Sequence, residues 1–300
     1  MTEQQKILAL FPGQGSQKVG MGQKSFETQE IAKELFNMAD KALGFSLSKV
    51  CFEGPATELT NTAIAQPAIL TVSVICYELF AKTGQANNIV AAAGHSLGEY
   101  SALVAAGAIS FADAVLLVHK RGKYMQEAVP KGQGTMVAVL GKEILEIEEA
   151  LSKVTTGVAQ AANINAPGQV VVAGDIAGVD AFKAALNGGK VIPLDVSAPF
   201  HCKLMKPAAD NLAKDLDAMT INKCRFPVYA NFSAKAVTEP SDVRQNLKDQ
   251  VCGRVRWVEC MNNAIAEAKP TNAIEFGEGK VLNGLLKKIN KEVPCQNIDQ

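Results

Sequence analysis

Two spacings of apolar residues alternate along this chain: short continuous runs, and longer stretches in which apolar positions recur every three to four residues. The first kind predicts buried strands and the second predicts amphipathic helices. Ile7–Phe11 is a strand by this criterion, ending in the turn composition Pro12-Gly13-Gln14-Gly15-Ser16. Helical spacing covers 28–43 and 64–82, with Pro67 expected in the first turn of the latter. Ile89–Ala93 reads as a small-residue strand, followed by helices over Leu97–Ala106 and Phe111–Glu127. From Gly134 the order is strand Met136–Leu140, helix Glu143–Val154, strands Val158–Asn163 and Val170–Ala173, helix Val179–Leu186, strand Val191–Leu194. That β-α-β-β-α-β order is the order of a ferredoxin-like unit. A helix near 203–219, a strand at Val228–Phe232, helices near 241–250 and 256–268, a strand at Ala273–Phe276 and a helix near 280–290 complete the chain. Strands alternating with helices predict an α/β fold on a mostly parallel sheet. The expected division is a core built from 1–129 and 198–300, with 130–197 as an inserted subdomain.

Composition narrows the function classes. The 300 residues are 48% hydrophobic and 20% charged, and thirty basic residues balance thirty acidic ones. A net charge of zero gives no support to a nucleic-acid or membrane-surface role. No apolar run is expected to reach the ~18–20 residues of a membrane span. Seven cysteines, at 51, 76, 202, 224, 252, 260 and 295, form an odd set without a CxxC pair. Scattered thiols suit a reducing cytoplasm better than a disulfide framework or a zinc site. Met1-Thr2-Glu3-Gln4-Gln5-Lys6 lacks the charged-then-apolar layout of a secretory leader. A cytoplasmic, metal-free protein is expected.

Gly94-His95-Ser96-Leu97-Gly98 fits G-x-S-x-G between a predicted strand and a predicted helix. In that context the serine sits on a sharp turn with its hydroxyl projecting at the sheet's carboxyl edge. The Leu97 amide, at a helix N-terminus, is aimed where a tetrahedral oxyanion would form. The competing reading is plain: Ser96-Leu97-Gly98-Glu99 also fits S-x-x-E, a capping box with no chemistry.

A serine hydroxyl needs a base, and the chain offers three histidines. His95 adjoins Ser96 on a tight turn, where neighbouring side chains diverge. His119 lies within a helical pattern, where a structural histidine is the default. His201 follows Ser197-Ala198-Pro199-Phe200 in a restrained loop, a placement that suits a catalytic base, with a surface or interface histidine as its alternative. No acidic partner for its ring is evident: Asp113, Asp175, Asp180 and Asp195 are each explained as caps or solvated residues, and a backbone carbonyl could serve instead.

Gly13-Gln14-Gly15-Ser16-Gln17 does not make a phosphate loop. G-x-G-x-x-G would need glycine where Lys18 stands, and after Gly15 and Gly20 a P-loop would need lysine where Met21 stands. In an open parallel sheet this loop converges on the site with the serine turn, so the Gln14 amide could be a second oxyanion donor; the alternative is a simple tight turn. Of the charge run around His119-Lys120-Arg121-Gly122-Lys123, the lysines read as a solvated face and Arg121 stays open.

Together these pieces resemble the malonyl-CoA:acyl-carrier-protein transacylase family, the stand-alone acyltransferases of bacterial-type fatty acid synthesis. The matching segments are Phe11-Pro12-Gly13-Gln14-Gly15-Ser16-Gln17, Gln66-Pro67-Ala68, Gly94-His95-Ser96-Leu97-Gly98-Glu99-Tyr100, Arg121-Gly122, Met125-Gln126, Asn163, Phe200-His201, Gln250 and Val255-Arg256-Trp257. The resemblance implies a hydrolase-like core with a ferredoxin-like insert, Ser96 as acyl carrier and His201 as its base. It further implies that the Gln250 carbonyl orients the imidazole, that Gln14 and Leu97 give oxyanion amides, and that Arg121 pairs with the malonyl carboxylate. Met125, Asn163 and Phe200 would line the substrate pocket, Phe200 crowding a branched α-carbon. Leu97 stands where some relatives carry glutamine, a change that leaves the amide in place.

The implied activity is malonyl transfer from malonyl-CoA to the phosphopantetheine thiol of a separate acyl carrier protein, without metal or redox cofactor, by a monomer. Lys203, Lys206, Lys287 and Lys288 are candidate docking charges for an acidic carrier. Two other functions use the same residues: a serine esterase or thioesterase with water as acceptor, and a non-catalytic acyl-CoA-binding protein.

Overall fold

A computed structural model describes residues 5–299; Met1–Gln4, on which the expectation about a secretory leader falls, and Gln300 lie outside them. Its strands are β1 (Ile7–Phe11), β2 (Ile89–Gly94), β3 (Gly134–Leu140), β4 (Ala159–Ala166), β5 (Gln169–Asp175), β6 (Lys190–Pro193), β7 (Val228–Tyr229), β8 (Ala236–Val237), β9 (Asn272–Phe276) and β10 (Cys295–Ile298). They form a six-stranded sheet of order β10-β9-β1-β2-β7-β8 and a separate four-stranded sheet of order β4-β5-β3-β6. The larger sheet is parallel except for β8, which runs antiparallel to β7. All pairings in the smaller sheet are antiparallel. The molecule is thus a mixed α/β protein with one parallel-rich and one antiparallel sheet.

The central strand shows why a continuous apolar run was needed. Ile7, Ala9 and Phe11 pack into the core on one face of β1, while Leu8 and Leu10 pack into the core on the other. A strand buried on both faces can carry no polar alternation. The smaller sheet has its own core, in which Val137, Val139, Val170 and Val172 meet Ile147 and Phe182 of the helices Ile144–Ser152 and Ile176–Ala185. It is tied to the larger unit by a parallel bridge between Asn163 and Val255: Ile164 N donates to Val255 O at 2.9 Å and Val255 N to Ala162 O at 2.8 Å.

One expectation needs correction at the helix Thr62–Ala81. By length and mean composition this helix could cross a membrane, but Gln66, Thr71, Ser73 and Glu78 interrupt its apolar run and 78% of its most apolar window is buried, as in a helix enclosed by protein. Pro67 lies in its interior rather than its first turn. Proline lacks the N–H that would bond to the carbonyl four residues back, at Ala63. The His119 ring fills that vacancy, its Nδ1–H donating to Ala63 O at 2.8 Å. This gives the histidine within Phe111–Glu127 a structural task.

Further differences lie at element ends. The expected strand Val228–Phe232 stops at Tyr229, and the stretch before the helix Glu30–Leu43 holds a separate short helix, Gln23–Thr28. The short helices Leu47–Glu53 and Ala56–Leu59 and the strands β8 and β10 were not expected from periodicity, being too short to display a period.

Candidate active site

The site forms where β1 and β2 end side by side, Phe11 opposite Gly94. The chain leaves β2 through a turn in which the two glycines of the motif are sterically required. A Cβ on Gly94 would lie 1.9 Å from the backbone of Gly98, and one on Gly98 would lie 2.0 Å from the Phe11 carbonyl oxygen. Between them Ser96 adopts φ 50°, a left-handed conformation that costs a non-glycine residue about 1–3 kcal/mol. The turn is held by contacts from distant segments. Ser96 N donates to Asn231 Oδ1 at 2.6 Å, Asn231 Nδ2 donates to Gly94 O at 2.8 Å, and Gln250 Nε2 donates to Ser96 O at 3.0 Å.

This geometry answers the capping-box alternative. The helix Gly98–Ala105 begins from Leu97 with no side-chain cap, and the Glu99 carboxylate accepts from Asn231 N at 2.9 Å rather than from its own helix start. The Ser96 hydroxyl instead faces His201, Oγ to Nε2 at 2.7 Å. His201 Nδ1 donates to the backbone carbonyl of Gln250 at 2.9 Å, which leaves Nε2 as the acceptor for the serine proton. His201 itself has φ 59°, so both members of the pair sit on strained backbone. Burial, and then the charge of Arg121, lowers the His201 pKa to about 3. The ring is therefore neutral, and able to accept a proton, throughout the neutral range.

Arg121 reaches the same point from the helix Phe111–Glu127. Only 1% of it is exposed. Its Nη1 donates to Gln66 Oε1 at 2.8 Å, and its Nη2 to Gln250 Oε1 at 2.9 Å and Ser96 Oγ at 3.1 Å. The guanidinium carbon lies 5.4 Å from the Tyr100 ring centroid. By contrast Lys120, on the same helix, pairs with Asp215 at 2.6 Å and Lys123 is exposed.

Gln14, Leu97, Met125, Asn163 and Phe200 line the cavity into which Ser96 and His201 open, a space of ≈ 690 Å³ between the two sheets' loops. A pocket of that size suits a small-molecule substrate. The glycine-rich loop comes close enough to share the site because a Cβ on Gly13 would stand 2.4 Å from the His95 carbonyl oxygen. The Gln14 side chain donates to Thr62 Oγ1 at 3.2 Å, which in turn contacts Ser197 Oγ at 3.2 Å, linking this loop to the segment before His201.

Asn231, Gln66 and Asn165 were not singled out as functional from the sequence. Asn165 Oδ1 lies 2.8 Å from His95 Nε2. The available signal for Asn231 was its position, as a polar residue, near the carboxyl end of the expected strand Val228–Phe232. Asn231→Ala should leave the Ser96 amide and the Gly94 carbonyl without partners. At about 1–3 kcal/mol per buried unpaired group, the expected loss in urea denaturation is roughly 2–6 kcal/mol. A loss below about 0.5 kcal/mol would mean that the turn holds its shape without the clamp.

The sequence pattern of the acyl transferase domain family matches residues 9–287. The chain is 49% identical to the malonyl CoA-acyl carrier protein transacylase of Bacillus subtilis (strain 168) over 293 residues, covering 96% of this chain and 92% of that protein. It is 44% identical to the protein of the same description from Escherichia coli (strain K12) over 284 residues, 93% and 91% of the two chains. Among solved structures, an acyl carrier protein S-malonyltransferase from Vibrio cholerae O1 superposes with a TM-score of 0.94 at 40% identity, covering 98% of this chain and 97% of that one. A malonyl-transacylase solved in complex with its type II PKS acyl-carrier protein superposes with a TM-score of 0.92 at 39% identity, covering 98% and 96%.

Proposed function

The chain belongs to the acyl transferase domain family, and from that membership we propose a ping-pong route through a malonyl ester on Ser96. It is an acyltransferase that moves malonyl groups from malonyl-CoA to acyl carrier protein in fatty acid synthesis. The observation that carries the covalent route is the 2.7 Å contact between Ser96 Oγ and His201 Nε2.

In the first half-reaction Ser96 Oγ attacks the thioester carbon while its proton passes to His201 Nε2. The tetrahedral oxyanion is received by the amides of Gln14 and Leu97. Collapse breaks the C–S bond, and His201 returns the proton to the departing CoA sulfur. The second half runs in reverse: the phosphopantetheine thiol gives its proton to His201, its sulfur attacks the ester carbon, and Ser96 Oγ leaves with the proton. The Gln250 carbonyl, accepting from Nδ1, keeps the imidazole in the tautomer both halves need. No resident metal or redox group enters this route; CoA and phosphopantetheine act as substrates.

Arg121 is read as the clamp for the free malonyl carboxylate. Its planar fork, already pointed into the cavity by Gln66 and Gln250, can donate two parallel hydrogen bonds. A bound carboxylate would also neutralise the charge that helps depress His201, making the imidazole a stronger base once the correct acyl group is present. The arginine favours transfer over the esterase reading, since a simple ester has no use for a buried cation. Trapping with radiolabelled malonyl-CoA tests the route: label should sit on Ser96 and pass to carrier protein faster than it appears as free malonate. Release to water without transfer would favour the hydrolase, and an unlabelled, inert protein would favour a binding role.

We further propose that the chain folds as a hydrolase-like core of 1–129 and 198–300, with 130–197 as a ferredoxin-like subdomain. The strand order β4-β5-β3-β6 and its two covering helices support the latter. A cytoplasmic monomer is the setting we propose, with Lys203, Lys206, Lys287 and Lys288 as candidate carrier contacts. Phe200, 8% exposed beside the base, should limit the α-carbon to an unbranched chain. Phe200→Ala is expected to raise methylmalonyl relative to malonyl transfer by about 10- to 100-fold in kcat/KM ratio, the usual worth of one methyl group's fit. An unchanged ratio would remove Phe200 from the specificity pocket.

A further inference from the structure

Arg121 is a buried cation whose direct protein contacts are all neutral: two amide oxygens and a hydroxyl. Arginine does not shed its proton in proteins, so a guanidinium this buried calls for a nearby anion. Among the described residues two carboxyls are buried, Glu99 and Glu275. Glu275 is committed elsewhere, accepting from the amides of Leu282 at 3.0 Å and Asn283 at 2.9 Å at the start of Val281–Ile289. Glu99, 1% exposed, lies one amide group away from Arg121.

That amide is the Gln250 side chain. Its Nε2 donates to Glu99 Oε2 at 2.8 Å and to Ser96 O at 3.0 Å, and its Oε1 accepts from Arg121 Nη2 at 2.9 Å. Two acceptors on one side and a donor on the other allow only one orientation of the amide. The carboxylate thus fixes which end of Gln250 meets the arginine, and supplies a negative charge beneath it without touching the cavity.

We propose that Glu99 is the buried counter-charge of Arg121, and that it takes up a proton when an acyl carboxylate occupies that guanidinium. The proposal rests on the reading of Arg121 as the carboxylate clamp. With the acyl carboxylate bound, two anions share one cation in a water-poor site, and repulsion between them is relieved by protonating the deeper one. Glu99 is a positioning residue: it acts on the acyl group through Gln250 and Arg121. It makes the resting site electrically balanced, so that an acyl chain without a carboxylate gains nothing from the arginine.

The surroundings leave Glu99 as the group that titrates near neutrality. It faces the Asn231 amide from the segment after β7, Gln250, Arg121 from Phe111–Glu127, Cys260 from Trp257–Ala268, and Tyr100 on its own helix. Burial raises Glu99 to about 7, against the opposing pull of the two hydrogen bonds and Arg121. Burial pushes the Cys260 thiol well above its ordinary value and Tyr100 to about 12. His201 is held at about 3, and burial lowers His95.

The sign follows. Above the resting value of Glu99, malonyl binding must draw a proton from solution, so affinity weakens as pH rises, approaching tenfold per pH unit for one proton. KM for malonyl-CoA should therefore rise about tenfold or more between pH 7 and 8.5, while KM for acetyl-CoA, which carries the same CoA groups, stays flat. Glu99→Gln keeps an acceptor for Asn231 N and Gln250 Nε2 but removes the charge, and should flatten the malonyl profile. A second measurement needs no change at Glu99. Calorimetric titration of malonyl-CoA into Ser96→Ala at pH 7.5, in buffers of different ionisation enthalpy, should show proton uptake that is missing with acetyl-CoA. A flat wild-type malonyl profile, an undiminished slope in Glu99→Gln, or no net uptake overturns the proposal. Failure of Ser96 to take malonyl label at any pH would instead overturn the proposed function.

Discussion

Ser96→Ala is expected to take no label from radiolabelled malonyl-CoA and to lose at least about 10⁴-fold in malonyl transfer to carrier protein, the scale on which removing a nucleophile acts in serine enzymes. The change is small: alanine removes the hydroxyl, and with it the contacts to His201 and Arg121. The backbone contacts that hold the turn, from Ser96 N to Asn231 and from Gln250 to Ser96 O, do not involve the hydroxyl. The fold should survive and CoA ester binding should persist, so lost transfer can be assigned to chemistry. His201→Ala should cost nearly as much, and the double variant little more than either alone, because the two groups act as one unit. Intact-protein mass spectrometry, with the adduct mapped by fragmentation, reads the result. Undiminished turnover, or a malonyl adduct on another residue, would sink the covalent route.

The parts of this site that could be read from sequence are those fixed by local chain geometry. G-x-S-x-G demands its first glycine because strand end and helix start pass in backbone contact within a few residues, whereas Gly98 must also clear the Phe11 carbonyl of the neighbouring strand. Helix Phe111–Glu127 was readable because seventeen residues show their period several times over. Elimination reached His201 because there were three histidines, one adjacent to the serine and one inside a helix. What stayed hidden depends on contacts between residues far apart in the chain. Glu99 looked like half of a capping box, since S-x-x-E is a local pattern; its real partners, Asn231 and Gln250, are 132 and 151 positions away. Pro67 was expected at a helix start because an interior proline orphans a carbonyl, and nothing local announces that His119, 56 positions from Ala63, will meet it. The two-residue strand β8 has no period at all, and exists only because β7, itself paired to β2, presents it an edge.

The same long-range contacts shape the outcome at Arg121. Arg121→Ala is expected to lower kcat/KM for malonyl transfer by about 10²- to 10⁴-fold, from the roughly 3–5 kcal/mol lost when one partner of a buried charge pair is removed. Acetyl transfer by the same variant should hold or improve, because acetyl offers the guanidinium no anion and the shorter side chain leaves it more room. The variant also strips a partner from Gln66 Oε1 and Gln250 Oε1 and the counter-charge from Glu99, so some loss of stability is expected. A stability loss alone would depress both substrates together, which makes the ratio the decisive quantity. Arg121→Lys sharpens the comparison: lysine keeps the charge but replaces a planar fork with a single ammonium, which cannot satisfy Gln66, Gln250 and a bidentate carboxylate at once. Malonyl transfer in Arg121→Lys should therefore fall most of the way toward the alanine value. Equal losses for malonyl and acetyl in both variants would make Arg121 a structural residue of the helix Phe111–Glu127, and the preference for a carboxylated acyl group would have to arise elsewhere in the cavity.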